Sequence, residues 1–265
     1  MGATLYFARF VKKKSLTVGN GAQQLYEELS KIDTQGSLPG LQAMNGARAM
    51  LAEGDYNQAR EKLLFITNFY SDASFAGQAR NILGEMNLDQ IFSPSSMKGK
   101  EAYQIKRGDS LSRISTKFNT SVEFIMAING LSYANRIQPG QEIIVMPLEF
   151  KTLINVPKKT LTLSQNGQMI KEYTLLETAV KSRNKTISTK VEKILAYDKS
   201  STYPSVSSKY RPNKKVVLLK AGNLQIRAVK HPDEPDPGSG AFLSSKDMEE
   251  FALLVKSGNE VEIQL

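Results

Sequence analysis

Few side chains of this 265-residue chain could carry nucleophilic or acid–base chemistry. It contains one histidine, His231, and no cysteine. A thiol nucleophile, a zinc–thiolate site, a disulfide and a multi-histidine metal site are therefore excluded. Histidine acid–base chemistry would depend on His231 alone, with Ser239 or Ser244 as the nucleophile. Such a serine needs a held base and an oxyanion site, and the sequence indicates neither.

The segment around His231 has the composition of an exposed loop. It reads HPDEPDPGSG, and its prolines and acidic residues favour irregular structure. Its acidic residues Asp233, Glu234 and Asp236 lack the glycine and the distal glutamate that a calcium-binding loop requires. We therefore interpret them as solvated and expect neither a metal nor a cofactor.

The basic residues are concentrated in one stretch. The chain has 35 Lys and Arg against 26 Asp and Glu, whereas residues 151–231 alone hold 17 against 4, a net charge of +13, and residues 232–265 hold 2 against 8. A basic surface attracts nucleic acids, acidic lipids or wall polymers. No nucleic-acid-binding motif is present, so we expect no nucleic acid partner. A lysine-rich face that keeps the protein soluble is the alternative.

Residues 1–19 form an apolar and basic tail. The run MGATLYFARFV is followed by Lys12, Lys13 and Lys14. It is shorter than the ~20 residues of a spanning helix, and its lysines follow the apolar run, whereas a secretory signal carries its charge first. We expect either the trailing end of a membrane anchor that begins upstream or a frayed tail.

Residues 20–92 have helical periodicity, with a break at Gly54. The sequence ARAML at 47–51 recurs as ARNIL at 79–83. A repeat of this length, built of paired helices, resembles a tetratricopeptide unit. The resemblance covers about one and a half units, whereas stable arrays need ~3. We therefore expect one or more helical hairpins, packed on another part of the protein or contacting a protein partner.

Residues 101–148 follow a Ser/Pro/Gly/Lys linker and predict a strand–helix–helix–strand unit. The outer segments alternate in polarity, and two amphipathic runs lie between them. We expect Asp109 to cap the first helix, and Thr120 with Glu123 to form a capping box on the second. Asn129 and the glycine after it supply a left-handed stop.

This unit resembles a LysM domain, a family that binds chains containing N-acetylglucosamine in peptidoglycan or chitin. The resemblance is carried by Gly-Asp-Ser-Leu after the first strand, Asn-Gly-Leu after the second helix, and Ile-Gln-Pro-Gly-Gln before the last strand. It implies a groove between two loops, where glycines admit the sugar and Leu or Ile packs on its acetyl methyl group. The implied walls are Gly108, Asp109, Ser110 and Leu111, and Asn129, Gly130, Leu131 and Ile137. The alternative is that these residues serve only as caps, turns and core.

Residues 149–265 predict a mostly-β domain with one helix near its end. Residues 159–177 alternate in polarity on both sides of Asn166 and Gly167, which is the pattern of a hairpin. Further elements are strands at 214–222 and 224–229, and a capped helix followed by a strand within 244–265.

This part resembles the L,D-transpeptidase (YkuD-type) domain, which cross-links peptidoglycan through a cysteine acyl-enzyme. The family's Ser-His-Gly-Cys signature and its arginine align with residues 238–243. Ala241 stands in place of the cysteine, Ser239 in place of the histidine beside Gly240, Leu243 in place of the arginine, and Arg227 in place of an upstream histidine. Acyl transfer needs the thiolate and the imidazole, so the alignment implies a domain without catalysis.

The sequence thus predicts a multidomain α+β protein: the tail at 1–19, the tetratricopeptide-like helices at 20–92, a βααβ LysM module at 101–148 and a mostly-β L,D-transpeptidase-like domain at 149–265. We expect a non-catalytic protein of the cell envelope, periplasmic or wall-associated. A membrane anchor through a segment upstream of residue 12 and a frayed tail are the two alternatives for its N-terminal residues. Its LysM module would bind peptidoglycan or another N-acetylglucosamine polymer, the basic domain would add a wall- or partner-binding surface, and residues 20–92 would contact a protein. The alternative is an active L,D-transpeptidase-like enzyme with an unrecognised nucleophile.

Overall fold

The computed structural model describes residues 39–132, 134, 137–182, 185–198, 201–205, 207–229 and 238–265. The predicted tail, residues 20–38, His231 and the acidic residues after it lie outside the described residues. The chain divides into two compact units, Met1–Ser93 and Pro94–Leu265. Within the described ranges, no helix is long and apolar enough to cross a membrane.

The first unit contains the predicted helices. Pro39–Glu53 forms α1, Tyr56–Phe69 forms α2 and Ala76–Phe92 forms α3. Asp55 caps α2, since its carboxylate accepts a hydrogen bond from the Gln58 amide at 3.1 Å. Ala47 on α1 and Ala79 on α3 occupy equivalent positions of the internal sequence repeat, and both are fully buried. The repeated sequence therefore marks positions where helices pack closely.

The second unit begins with the βααβ arrangement. Its elements are β1 (Glu101–Gln104), α4 (Leu111–Lys117), α5 (Val122–Ile128) and β2 (Glu142–Val145). β1 and β2 pair antiparallel in a two-stranded ribbon. The two short helices cover this ribbon around a small apolar core.

The helix caps differ from those predicted. Ser110 caps α4 by accepting from the Arg113 amide at 3.3 Å, and Ser121 caps α5 by accepting from the Phe124 amide at 3.1 Å. Both predicted caps, Asp109 and Thr120, are therefore wrong by one position. Asp109 is instead bonded to groups that precede it in the chain, so its carboxylate does not reach the helix.

The rest of the second unit is a sheet with one helix, α6 (Ser245–Leu254). Its strands are β3 (Lys151–Asn155), β4 (Thr160–Gln165), β5 (Gln168–Thr174), β6 (Glu177–Ala179), β7 (Thr186–Tyr197), β8 (Thr202–Tyr203), β9 (Lys214–Leu219), β10 (Gln225–Ala228), β11 (Gly240–Leu243) and β12 (Glu260–Gln264). They are ordered β5-β4-β3-β12-β7-β9-β10-β11-β6, and β8 pairs with β7.

The hairpin predicted around Asn166 and Gly167 is confirmed. Both residues have positive φ, 50° and 77°, and they join β4 to the antiparallel β5. Two consecutive positive φ values define the turn type that matches the twist of paired strands. The last strand, β12, inserts between β3 and β7, parallel to the first and antiparallel to the second.

The βααβ part and the sheet are packed together within the second unit. Helix α5 contacts α6, and every residue from 123 to 128 is buried. The connection at the predicted boundary is also buried, since Leu148 is 0% and Phe150 1% exposed. The Asn259 side-chain amide donates to the Leu148 carbonyl at 2.9 Å. This connection is therefore a packed segment and not a free linker.

Candidate glycan-binding site

The two loops that sequence analysis singled out are anchored at one end of the β1–β2 ribbon. Gln104 pairs with Glu142, and the backbone amide of Ile105 donates to the Gln141 carbonyl at 2.8 Å. The Gly140 amide donates to the Ile105 carbonyl, also at 2.8 Å. The loop after β1 and the segment before β2 are therefore fixed against each other.

The first predicted wall starts at an exposed turn. Gly108 has φ +88°, a conformation that suits glycine, and its carbonyl accepts from Arg113 Nη1 at 2.7 Å. Ser110 is exposed, but its hydroxyl oxygen is used as the cap of α4. What this turn offers a ligand is exposed backbone next to a hydroxyl group.

Asp109 holds this turn in shape. Its Oδ2 accepts from the Lys106 backbone amide and from the Tyr103 hydroxyl, both at 2.8 Å. The Lys106 amide first, and then the Tyr103 hydroxyl, hold the pKa of the carboxyl group below its usual value. Asp109 therefore remains ionised at neutral pH and acts as the acceptor that closes the turn.

Asn129, in the second predicted wall, is engaged inside the domain. Its Nδ2 donates to the carbonyls of Ile125 (2.8 Å) and Ile144 (2.7 Å), and its Oδ1 accepts from the Ile144 amide at 2.7 Å. The carboxamide thus ties the end of α5 to β2, and its hydrogen-bonding groups are occupied. It supports the wall from within the domain, and a contact of Asn129 with a sugar stays a prediction.

The apolar residues of the two walls share one core. Leu131 and Ile137 are half-buried and pack against the cluster that contains Leu111. Leu111 itself is only 2% exposed, so its side chain supports the site from within the core, contrary to the expectation that it packs on the sugar. Gly130, with φ +63°, is exposed beside Leu131. The accessible positions are therefore fewer than the resemblance implied.

Sequence analysis did not identify Arg211, which lies in the turn before β9 and reaches the second wall. Its Nη1 donates to the carbonyl of Ser132 at 2.7 Å and to that of Leu131 at 3.5 Å, and its Nε pairs with Glu123 Oε2 at 3.3 Å. No local sequence signal could have revealed this contact, because Ser132 and Arg211 are 79 residues apart.

Three of the positions aligned with the transpeptidase signature, Gly240, Ala241 and Leu243, lie in the packed part of the sheet. Ala241 is 1% and Leu243 0% exposed. β11 runs parallel to β10 and places Ala241 opposite Ile226. A Cβ at Gly240 would lie 2.0 Å from the Gln225 carbonyl oxygen, so only glycine fits there. The residues at these three positions are buried and are used in packing within the sheet.

Of the remaining candidate residues, Arg227 and Ser244 are engaged and Ser239 is exposed. Arg227 is 9% exposed and lies 4.3 Å from the centre of the Tyr197 ring, a cation–π contact. Ser239 is exposed. Ser244, the other candidate nucleophile, caps α6 and donates to Asp247 Oδ2 at 2.7 Å. Its proton is therefore directed to a carboxylate, which orients the hydroxyl toward the helix.

The family comparison assigns the βααβ part of this unit. Residues 103–145 match the LysM domain family. They form a LysM domain. This family implies binding of glycans that contain N-acetylglucosamine. Its match covers the two loops at the end of the ribbon, but the contacts of individual wall residues with a glycan stay predictions.

Similar curated proteins are N-acetylmuramoyl-L-alanine amidases. The amidase sle1 of Staphylococcus saprophyticus is 33% identical over 90 residues, which are 34% of this chain and 26% of that protein. The sle1 of Staphylococcus aureus is 35% identical over 92 residues, 34% of this chain and 27% of that protein. The chain thus spans about a quarter of the length of these relatives.

Similar solved structures are L,D-transpeptidases. The transpeptidase 1 of Mycobacterium tuberculosis is 14% identical with a TM-score of 0.30, covering 43% of this chain and 60% of that one. The enzyme of Mycobacterium smegmatis is 12% identical with a TM-score of 0.30, covering 48% and 64%. The predicted α+β architecture of helices, LysM domain and mostly-β part is confirmed.

Proposed function

We propose that this protein binds peptidoglycan or another N-acetylglucosamine polymer through its LysM domain and does not act on it catalytically. The observation that carries the proposal is the LysM domain itself, with Gly108 and Gly130 exposed on its two loops. Exposed glycine backbone allows close approach of a sugar ring, and the half-buried Leu131 supplies apolar contact. The proposed location is accordingly at the cell wall.

The absence of catalysis is supported by the residues present. The chain has no cysteine, and Ala241, at the position aligned with the family's nucleophile, is packed in β11. A methyl group supplies neither a nucleophile nor a proton. Ser244, a candidate replacement, is committed to its helix cap. We therefore propose a binding protein that retains the frame of a wall enzyme.

The mostly-β part is proposed as an accessory surface for the wall or a partner. The outer faces of β3, β12 and β7 line a depression of about 830 Å³. Its charged lining residues are Lys151, Lys190, Lys220, Glu260 and Glu262. Groups of both signs suit a polymer that carries both carboxylates and ammonium groups, as the peptides of a bacterial wall do.

A protein contact through residues 20–92 stays a prediction. Within the described part of this region, α2 exposes three neighbouring apolar side chains: Phe69 at 73%, Leu64 at 42% and Phe65 at 39%. The rings of Phe65 and Phe69 lie 5.2 Å apart. Exposed apolar clusters of this kind occur at interaction sites. A chain lacking residues 1–93 should therefore keep its glycan binding and lose the partner.

Binding is tested with purified peptidoglycan sacculi and with a hexamer of N-acetylglucosamine. The wild-type protein should co-sediment with sacculi at moderate salt and give a calorimetric signal with the hexamer. Gly130→Val should weaken both, since it fills the site. Gly222→Val is the matched control, because Gly222 also has positive φ (59° against 63°) and open space around it. Failure of the wild-type protein to bind either ligand would refute the proposal.

Catalysis is tested separately. The protein is incubated with a carbapenem or with a tetrapeptide donor, and its intact mass is measured. An unchanged mass and no turnover of the donor are expected. An adduct on serine would instead favour the alternative, an L,D-transpeptidase-like enzyme with an unrecognised nucleophile.

A further inference from the structure

One arginine of the mostly-β part contacts two segments of the LysM domain, helix α5 and the residues that follow it. Arg211 pairs with Glu123 near the start of α5, approaches the Met126 sulfur in the same helix, and donates to the Leu131 and Ser132 carbonyls beyond its end. A guanidinium group is planar and has five donors, so one side chain can bind several acceptors at once.

The backbone that carries the Arg211 side chain is itself held in place. Tyr210, the residue before it, is 3% exposed, and the Lys215 ammonium group lies 4.9 Å from the centre of the Tyr210 ring. Lys215 Nζ also bonds to the Arg211 carbonyl at 3.4 Å and to Glu249 Oε2 at 3.1 Å, on α6. The arginine is thus presented from a turn that the buried Tyr210 and Lys215 hold in place.

The segment that it contacts includes the second wall of the glycan site. The Leu131 amide donates to the Met126 carbonyl at 2.9 Å, while the Leu131 and Ser132 carbonyls accept from Arg211. The backbone is therefore held from both sides just after the exposed Gly130. The first wall has an equivalent brace from inside the LysM domain, the bond from Arg113 to the Gly108 carbonyl.

Given the glycan binding proposed above, we propose that Arg211 is a positioning residue of that site. It fixes the Leu131–Ser132 backbone in the shape that receives the sugar. Because its donors occupy these two carbonyls, the ligand meets the remaining groups of the wall, the Gly130 backbone and the Leu131 side chain. The mostly-β part thereby sets the affinity of a site to which it contributes no contact of its own.

The energetic basis is preorganisation. A loop that must be ordered when the ligand arrives lowers the affinity, whereas a loop ordered beforehand does not. Charge-assisted hydrogen bonds to backbone carbonyls are among the stronger bonds available for this task. Arg211 and the glycan site then lie in one folded unit, and a change at Arg211 alters the affinity for the glycan. A change of about tenfold in affinity is typical of such a coupling.

The test measures the affinity of the full chain for a hexamer of N-acetylglucosamine. Arg211→Ala should bind about tenfold more weakly than wild type. Arg211→Lys should recover part of the loss, because an ammonium group can donate to one carbonyl but cannot reproduce the fork. In spectra of the protein without ligand, the amide resonances of Gly130 and Ser132 should shift in Arg211→Ala.

Asn259→Ala is the matched control. Asn259 also bonds across the contact between the two parts, to the Leu148 carbonyl, but does not touch the wall. It should lower stability and leave the affinity unchanged. Equal weakening in both variants would overturn the positioning role, since any loosening of the contact would then suffice. Wild-type affinity in a folded Arg211→Ala would overturn it as well.

Failure of the positioning role can be told apart from failure of the proposed function. If the wild-type protein binds no glycan, glycan binding fails, and the amide resonances still decide what Arg211 does. Unchanged resonances of Gly130 and Ser132 in Arg211→Ala would then refute the positioning of the wall. Shifted resonances confined to these residues would support it.

Discussion

Asn129 and Ile144 are joined by two hydrogen bonds of 2.7 Å, in which the side-chain carboxamide of one mimics a neighbouring strand to the backbone of the other. A third bond, to the Ile125 carbonyl, extends this contact into α5. The Asn129 side chain therefore provides Ile144 with the donor and the acceptor that a neighbouring strand would otherwise supply.

Removal of this carboxamide should destabilise the second unit. Asn129→Ala removes the carboxamide from the Ile144 amide and carbonyl, whereas the Ile125 carbonyl keeps its bond from the backbone amide of residue 129. The expected loss is about 1–3 kcal/mol in the free energy of unfolding, measured by urea denaturation. Asn213→Ala is the control, because that side-chain amide makes an exposed bond, to the Lys209 carbonyl at 2.8 Å. A similar loss in both variants would mean that the bridge to Ile144 has no special weight.

The buried carboxyl of Glu123 predicts a pH dependence of stability. Burial raises its pKa above the usual 4.5, although the charges of Arg211 and Lys215 oppose the shift. A folded-state pKa above the unfolded one means that the folded state binds the proton more tightly, so this contribution is lost as the pH rises through the folded pKa. Glu123→Gln places an uncharged side chain of nearly the same shape at this position at every pH.

The stability of wild type relative to Glu123→Gln should therefore decrease from pH 4 to pH 7. The measurement is the urea midpoint of both proteins across this range, with Glu149→Gln, an exposed carboxyl, as the control. A trend in the opposite direction would show that the attraction of Arg211 outweighs the cost of burial.

The carboxyl of Asp109 should titrate below its usual pKa of 3.8, because the Lys106 amide and then the Tyr103 hydroxyl stabilise its ionised form. Its contribution to stability is thus present above pH 3.8 and is lost as the pH falls through the lower folded pKa. A carboxyl ¹³C NMR titration measures this midpoint directly.

Tyr103→Phe removes one donor and should move the Asp109 midpoint upward. Lys106→Gln keeps the backbone donor and should move it less, since the side-chain charge of Lys106 is the smallest of the causes. If Lys106→Gln had the larger effect, charge rather than hydrogen bonding would govern this turn.

A thiol introduced at position 241 should be inaccessible. Ala241 is 1% exposed, and because the natural chain has no cysteine, Ala241→Cys would carry a single thiol. It should react with a disulfide reagent only after unfolding, whereas Ser239→Cys, at an exposed position two residues earlier, should react at once. Rapid labelling at position 241 in the native protein would contradict the packed environment of β11.

The depression on β3, β12 and β7 should contribute to sacculus binding through charge. Lys190→Glu combined with Lys220→Glu should weaken co-sedimentation about threefold, because each exposed pair contributes little, and should reduce its sensitivity to salt. Lys158→Glu combined with Lys246→Glu makes the same change of net charge outside the depression. Equal weakening by both pairs would point to net charge and not to this surface.

The sequence identified the LysM domain because its signals are local. A Gly-Asp-Ser-Leu turn, an Asn-Gly stop and a Pro-Gly turn each depend on the backbone preferences of a few neighbouring residues, and so does the Asn166-Gly167 hairpin. The helix caps were missed by one position because two adjacent polar residues can both serve as a cap. Which of them does so depends on the competing partner, here Tyr103 for Asp109.

Only the tertiary structure decided the features that join distant residues. It placed Arg211 on the wall of the glycan site, and it set the acidic strand β12, with Glu260 and Glu262, between the basic β3 and β7. Lys151 and Glu260 pair at 2.7 Å, so part of the basic excess counted along residues 151–231 is neutralised by the end of the chain. Local preferences cannot encode such contacts, since charge and packing act through space and not along the sequence.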